Sequence, residues 1–354
     1  MLYKRQPSLS FLLNLALLLL SLAGCDENHQ PDPTPTCSAD WFHVYFTNPK
    51  SPTAETYRGG PDEKLTSAIE VARLSVDAAI YDLNLWSLRD ALIRAFRRGV
   101  AVRLVVESDN LDEPEIRDLV SAGIPILGDR REGLMHNKFV IIDRSEVWTG
   151  SMNFTTSDAY LNDNNLLQVR SVRIAENFLI EFDEMFQNDL FGPDIRAATP
   201  HPRMTIKGVP VEVYFSPDDK VAEHLLDLLR AAQRSIYFMA FSFTADDLAD
   251  AILERAQKGV VVAGVMEEAQ VKSNSGSDYD RFLQAGLDVR LDSNPRNMHH
   301  KVILIDGETV ITGSYNFSNR AEKDNDENVV VIHDPAIADQ FMVEFERLYQ
   351  DAHR

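Results

Sequence analysis

One string of twenty residues, lightly varied, occurs twice in this chain: MHNKFVIIDRSEVWTGSMNF from Met135 and MHHKVILIDGETVITGSYNF from Met298. The flanks of the two copies are also alike, so the repeated unit is larger than a motif. A period of roughly 160 residues is too long for a stacked solenoid and indicates duplication of a whole domain. Two fused copies of a domain are related by a pseudo-two-fold axis. The crevice between them is then the natural place for a shared site.

The halves can be followed element by element. Each opens on a strand (43–46 and 212–215), followed by an amphipathic helix over 62–74 or 218–233. A short strand ends at Tyr81-Asp82 or Ala240-Phe241, and second helices span 88–98 and 246–258. Both of those helices close on a basic last turn and a glycine stop, Arg98-Gly99 and Lys258-Gly259. Apolar strands follow at 101–106 and 261–266, then a third helix and strands at 124–127 and 287–291. Each half ends in an amphipathic helix, 172–186 or 335–349. Strands alternating with helices predict an α/β fold with right-handed crossovers and a largely parallel sheet covered by helices. The expected domains are 41–190 and 209–354, with a Pro- and Gly-bearing connector at 191–208.

The repeated string carries chemistry. Its invariant part is His-x-Lys-x4-Asp, supplied by His136, Lys138 and Asp143 and again by His299, Lys301 and Asp306. Gly-Ser-x-Asn-Phe follows at one fixed offset, placing Ser151 and Asn153 in the first half and Ser314 and Asn316 in the second. Histidine and lysine two apart on an apolar, β-branched run point to one face of a strand. The aspartate sits at an odd offset and should face the other way, in a mainly structural role. Two imidazoles, two ammonium groups, two hydroxyls and two amides in one pocket suit a phosphodiester. The cations and donors offset charge growing on the equatorial oxygens. One imidazole attacks phosphorus; the other protonates the leaving alkoxide and then activates water. An ordinary histidine titrates near about 6.5, so one neutral and one charged ring is an accessible pairing at neutral pH.

On these motifs both halves resemble the phospholipase D superfamily, over essentially the whole chain beyond residue 40. The resemblance implies two similar α/β/α sandwich domains with the active site at their interface. It implies a covalent phosphohistidine intermediate and no metal or cofactor. It also implies an acidic residue shortly after each Gly-Ser-x-Asn segment, hydrogen-bonded to the catalytic imidazole. In the second repeat that position is Glu327; in the first it is Asn164. An amide orients a ring but does not stabilise an imidazolium as a carboxylate does. The expected site is therefore His136, Lys138, Asp143, His299, Lys301, Asp306 and Glu327 for catalysis, with Ser151, Asn153, Ser314 and Asn316 on phosphate. In that reading His136 is the nucleophile and His299, paired with Glu327, is the general acid and base.

The N-terminus reads as an export signal. Lys4 and Arg5 precede an apolar run that ends in Leu22-Ala23-Gly24-Cys25, which resembles a lipoprotein box. The expectation is a signal peptide at 1–24, lipidation at Cys25, and a polar Pro-rich tether at 25–40 on the bacterial cell envelope. Extended at ~3.1 Å per residue, that tether reaches up to ~45 Å from a membrane. With Cys25 and Cys37 the only cysteines, no disulfide framework exists.

Three substrate classes share this chemistry. The formal net charge of -20 opposes a general nucleic-acid binder, and the anchor favours a phospholipid. The alternatives are an endonuclease on DNA or RNA, a phosphatidyltransferase of the cardiolipin synthase kind, and an inactive envelope scaffold. Because both half-sites are in one chain, a monomer is expected. An ammonium two residues from each histidine opposes a bound cation, so no metal is expected. His300 should point away from the pair, and His43, His201, His224 and His333 read as structural or solvent-exposed. Arg130, Arg131, Arg290 and Arg296 are candidates for the pocket mouth.

Overall fold

The residues after each repeated lysine, FVII and VILI, are apolar on both sides of the strand, and all of them are buried. A strand of that kind belongs in the middle of a sheet covered on both faces. The computed structural model describes residues 40–354 except 195, and there each half builds one such sheet.

The first half comprises β1 (Phe42–Phe46), α1 (Asp62–Glu70), β2 (Ser75–Ile80), α2 (Trp86–Arg97), β3 (Ala101–Val106), α3 (Pro114–Ser121), β4 (Ile126–Gly128), β5 (Lys138–Ile142), β6 (Glu146–Gly150), α4 (Thr156–Tyr160), β7 (Asn165–Arg170) and α5 (Val172–Asn188). The second comprises β8 (Arg203–Ile206), β9 (Val209–Ser216), α6 (Val221–Ala231), β10 (Ser235–Ala240), α7 (Asp246–Gln257), β11 (Val261–Met266), α8 (Glu268–Ser273), α9 (Tyr279–Gln284), β12 (Asp288–Leu291), β13 (Lys301–Ile305), β14 (Thr309–Gly313), α10 (Asn319–Lys323), β15 (Glu327–His333) and α11 (Pro335–Asp351).

The sheet orders are β1-β7-β6-β5-β2-β3-β4 and β12-β11-β10-β13-β14-β15-β9-β8. These sheets are mixed, which corrects the expectation of largely parallel ones. Only β2-β3-β4 and β10-β11-β12 run parallel. The repeated string is itself the reason. It folds as a tight hairpin, β5–β6 or β13–β14, and a hairpin is antiparallel by construction.

Alternate residues of each sheet feed different cores. Val76, Ala78, Val140 and Ile142 pack under α1, α2 and α3. Ile236, Phe238, Ile303 and Ile305 pack under α6 and α7. The opposite faces of both sheets share one central core with α5 and α11, in which Phe139, Phe178, Phe215, Met239 and Phe341 meet. The arrangement is two α/β/α units fused through their last helices, as the duplication implied.

Two helices are shorter than their sequence patterns. The α1 pattern continues to 74, but the Asp143 carboxylate accepts the backbone N–H groups of Arg73, Leu74 and Ser75 at 2.6–3.1 Å. Those groups are then unavailable to a helix, and the chain turns into β2. Asp306 does the same to α6 through Gln233, Arg234 and Ser235. The expected connector also holds a strand, β8, which extends the second sheet by pairing with β9. Cys25 and Cys37, with the signal and most of the tether, lie outside the described residues.

Candidate active site

Both histidines lie two residues before the start of their strands, β5 and β13, at the junction of the halves. Backbone pairing across that junction decides what they touch. His136 N–H donates to Asp326 O at 3.0 Å, and Asp326 N–H to Leu134 O at 2.9 Å. Equivalently, His299 N–H donates to Asp163 O at 2.8 Å, and Asp163 N–H to Asn297 O at 2.9 Å. Each motif segment is thereby zipped to the segment that precedes the last strand of the other half. Arg131 on Asp326 and Arg347 on Asp163, both at 2.6 Å, brace the two crossings.

This exchange overturns one expected pairing. Glu327 follows Asp326 in sequence, so it reaches His136 of the other half, with Oε2 2.7 Å from Nδ1. It does not serve His299. The His299 Nδ1 instead faces Asn164 Oδ1 at 3.1 Å. In neither ring does Nε2 have a hydrogen-bond partner among the described residues.

The lysines are buried beside the rings. Lys138 Nζ donates to His136 O at 2.8 Å and Lys301 Nζ to His299 O at 2.9 Å. Their ammonium groups lie 4.9 Å from the Tyr81 ring and 4.7 Å from the Phe241 ring. The same aromatics pack edge-on against His136 and His299, with centroids 4.8 and 4.5 Å away. Burial, opposed by Glu327 and aided by Lys138, holds His136 down to about 4. Burial and the nearby Lys301 and Lys138 hold His299 well below its usual value. Lys138 is brought down to about 8, again chiefly by burial. An equal mixture of neutral and charged rings is therefore not the resting state; both prefer to be neutral.

The remaining predicted residues divide into two groups. Asn153 and Asn316 are half-buried, and the side-chain oxygen of each is enclosed with no partner among the described residues. An orphaned amide oxygen calls for a donor; toward an anion it is the Nδ2 group of the same side chain that donates. Ser151 and Ser314, by contrast, are fully buried. Ser151 Oγ donates to Asn164 Oδ1 at 2.8 Å and accepts Asn165 N–H; Ser314 Oγ accepts Asn328 N–H at 2.9 Å. These hydroxyls fix the polypeptide behind the rings and are not presented to a phosphate, a correction of their expected role. The preceding glycines are required by crowding. A Cβ on Gly150 would come within 2.4 Å of Asn165 O, and one on Gly313 within 2.1 Å of Asn328 O.

Asp143 and Asp306, also expected among the catalytic residues, take the structural role that their odd offset indicated and stand apart from the rings. Five steps along the strand, about 16 Å, separate each from its lysine, and their carboxylates are occupied by the backbone of the preceding loop.

Three acidic residues were missed. Glu107 and Glu267 directly follow β3 and β11 and accept the N–H of Met135 at 2.8 Å and of Met298 at 2.6 Å, directly before each histidine. Their signal was available as the same residue at the same place in both halves. The third, Asp158, holds the Asn164 amide: Asn164 Nδ2 donates to Asp158 Oδ1 at 2.9 Å. His300 is fully buried between Asn165 and Glu344, as a packed histidine. Of the four arginines, Arg130 is tied to Asp189, Arg131 to Asp326 and Arg290 to Tyr349. Arg296 lines a cavity of about 460 Å³ with Lys50, Tyr57, Leu161 and Arg347; none of the paired histidines or lysines lines it.

A family profile described as "Cardiolipin synthase, PLD-like domain" matches this chain twice, at 65–186 and 225–349. A mitochondrial cardiolipin hydrolase of Chlamydomonas reinhardtii is 33% identical over 178 residues, 44% of this chain and 79% of that protein. A phospholipase D of Rickettsia typhi is 33% identical over 132 residues, 37% of this chain and 64% of that protein. In fold, the chain is similar to the crystal structure of phosphatidylserine synthase from Haemophilus influenzae Rd KW20. The TM-score is 0.65 at 13% identity, over 89% of this chain and 87% of that one.

Proposed function

The chain belongs to the phospholipase D-like (PLD-like) domain family, and from that premise we propose that it hydrolyses a phospholipid through a phosphohistidine intermediate. The observation that carries the reading is the paired ring geometry. Two buried imidazoles, one from each half, have Nδ1 engaged and Nε2 without a partner among the described residues, beside two ammonium groups. A ring held as the Nδ1–H tautomer presents its Nε2 lone pair to an electrophile.

In this mechanism His136 Nε2 attacks phosphorus, forming the P–N bond as the P–O bond to the head-group alcohol breaks. The ring gains positive charge, and Glu327 on Nδ1 offsets it. That contact favours His136 as nucleophile, for a different reason from the sequence resemblance. His299 Nε2 gives a proton to the leaving alkoxide. It then takes one from water, whose oxygen attacks phosphorus and releases phosphatidic acid and free His136. Both rings prefer to be neutral before substrate enters. A phosphodiester anion between them offsets Lys138 and Lys301 and makes the protonated His299 accessible. The Nδ2 groups of Asn153 and Asn316 donate to its non-bridging oxygens.

The lipid assignment draws support from the net charge of -20 and from relatives named for phospholipid chemistry. The proposal extends to location: lipidation at Cys25 and a tether to residue 40 would hold the enzyme to a membrane of the cell envelope as a monomer.

The test is to assay the full chain with EDTA on phosphatidylcholine, on phosphatidylglycerol with and without added alcohol, and on single- and double-stranded DNA. Head-group release that survives EDTA and disappears in His136→Asn supports the proposal. Loss of activity in EDTA removes the two-histidine mechanism. Turnover of DNA alone reassigns the substrate, alcohol-dependent product alone reassigns the reaction to transfer, and turnover of nothing leaves a scaffold.

A further inference from the structure

The first half lacks a carboxylate where the second has Glu327, yet it has one where the second does not. Thr155 Oγ1 accepts Asp158 N–H at the start of α4, and Ser318 Oγ accepts Ala321 N–H at the start of α10. The two caps make Asp158 and Ala321 equivalent positions, just as Asn164 and Glu327 are. One half carries Asp/Asn at these two places and the other Ala/Glu.

The hydrogen bonds connect the two departures. Asp158 is 3% exposed. Its Oδ1 accepts from Asn162 Nδ2 at 2.6 Å and from Asn164 Nδ2 at 2.9 Å, and its backbone carbonyl accepts from Asn164 Nδ2 at 3.2 Å. Asn164 Oδ1 in turn accepts from Ser151 Oγ at 2.8 Å and faces His299 Nδ1 at 3.1 Å. Turning the Asn164 amide over would set its oxygen against the Asp158 carboxylate, so its orientation is fixed. An oxygen facing Nδ1 requires a proton there. Asp158 Oδ1 is itself 3.7 Å from His299 Nδ1. The other ionisable groups acting on this ring, Lys301, Lys138, His136 and His300, all oppose a positive charge on it, and Glu327 is engaged by His136.

We propose that Asp158 is the positioning carboxylate of His299, a relocated counterpart of Glu327. It acts through Asn164 to hold the Nδ1–H tautomer and supplies counter-charge when Nε2 takes a proton. The tautomer part is independent of the reaction assigned above; the charge part rests on that reading.

The test uses the full chain with Asp158→Asn, Asp158→Ala and the double variant Asp158→Ala/Asn164→Glu, which copies the second half's arrangement. Asn at 158 keeps an acceptor for Asn162 and Asn164 and removes only the charge, so it guards against a folding artefact. Nitrogen NMR of the His299 ring, assigned against His299→Asn, reads tautomer and titration without any activity. The wild type should show the Nδ1–H tautomer. Asp158→Asn should keep it while the ring titrates about one pH unit lower, and Asp158→Ala should lose the single tautomer. The double variant should recover both. The alkaline limb of the pH profile for bis(4-nitrophenyl) phosphate hydrolysis should move down with the ring in Asp158→Asn, because the acid form is needed. An unchanged tautomer in Asp158→Ala, or an unchanged His299 titration in Asp158→Asn, overturns the proposal. A wild type without His136-dependent turnover fails the phosphodiesterase reading instead, and the NMR result stands apart from it.

Discussion

The two halves agree in backbone and differ in charge. Both carry the same hairpin, the same lysine on the preceding carbonyl and the same aspartate closing the preceding helix. Beside the rings the likeness ends: His136 meets a carboxylate directly, whereas His299 meets an amide backed by one. Tyr81 and Phe241 differ as well, one edge of the site bearing a hydroxyl and the other none. Duplication thus supplies symmetric geometry, and a handful of substitutions makes the two imidazoles unequal. In the proposed two-step displacement one ring bonds to phosphorus while the other carries a proton, and this inequality favours one assignment of those roles over the other.

The sharpest way to break the comparison is to remove each ring in turn. His136→Asn and His299→Asn should each lower turnover by at least about a thousandfold. Only the His299 variant should accumulate a chain carrying the phosphatidyl adduct, which intact mass and peptide mapping would place on His136. The adduct on His299 in the other variant would exchange the roles. Next in size is Glu327→Gln, which gives His136 the amide contact that His299 already has. Loss of the partner that offsets ring charge should cost about tenfold to a hundredfold in kcat. A KM change alone would show that Glu327 only shapes the pocket.

How much of this was legible in the sequence depends on distance along the chain. The duplication, the element order and the His/Lys pairs could be read because they are local patterns. Which half's carboxylate serves which histidine could not be. That pairing is set by the crossing of the 134–136 and 326 segments, and by its partner at 163 and 297–299, contacts that no spacing encodes. The serines misled for a related reason. A hydroxyl beside a glycine turn suits phosphate, but Ser151 and Ser314 sit behind the turn, under Asn165 and Asn328. The odd offset of Asp143 and Asp306 did indicate a structural role, and the loops they hold supply its content.

Those aspartates offer a smaller effect of a different kind. Asp306→Ala frees three backbone N–H groups and should lower stability by about 2 kcal/mol, with turnover per folded molecule within about twofold of wild type. Burial works against ionisation of Asp306, but the N–H groups of Ser235, Gln233 and Arg234 outweigh it and hold the carboxyl below its ordinary value. Its contribution should therefore be present near neutral pH and vanish as pH falls through that lowered value. Denaturation midpoints at several pH values would read this. Asp143→Ala should match it in size if the halves are mechanically equivalent, and a large mismatch would show that they are not.

The smallest effect compares the halves by pH alone. Burial and the neighbouring Asp129 push Glu107 up to about 7, and burial and Asp292 push Glu267 up to about 8. A carboxyl raised on folding binds its proton more tightly in the native state. Its contribution is therefore full below the ordinary carboxyl value and is lost as pH climbs through the raised one. His136 has the opposite sign. Held down to about 4, it refuses a proton the unfolded chain accepts, so stability is lost as pH falls from about 6.5. Thermal midpoints should accordingly decline from pH 6.5 towards 8. Glu267→Gln and Glu107→Gln should each flatten that decline, and no flattening by either would overturn the assignment. Equal flattening by both variants would mean that the two acidic pairs, unlike the two imidazoles, have stayed alike since the duplication.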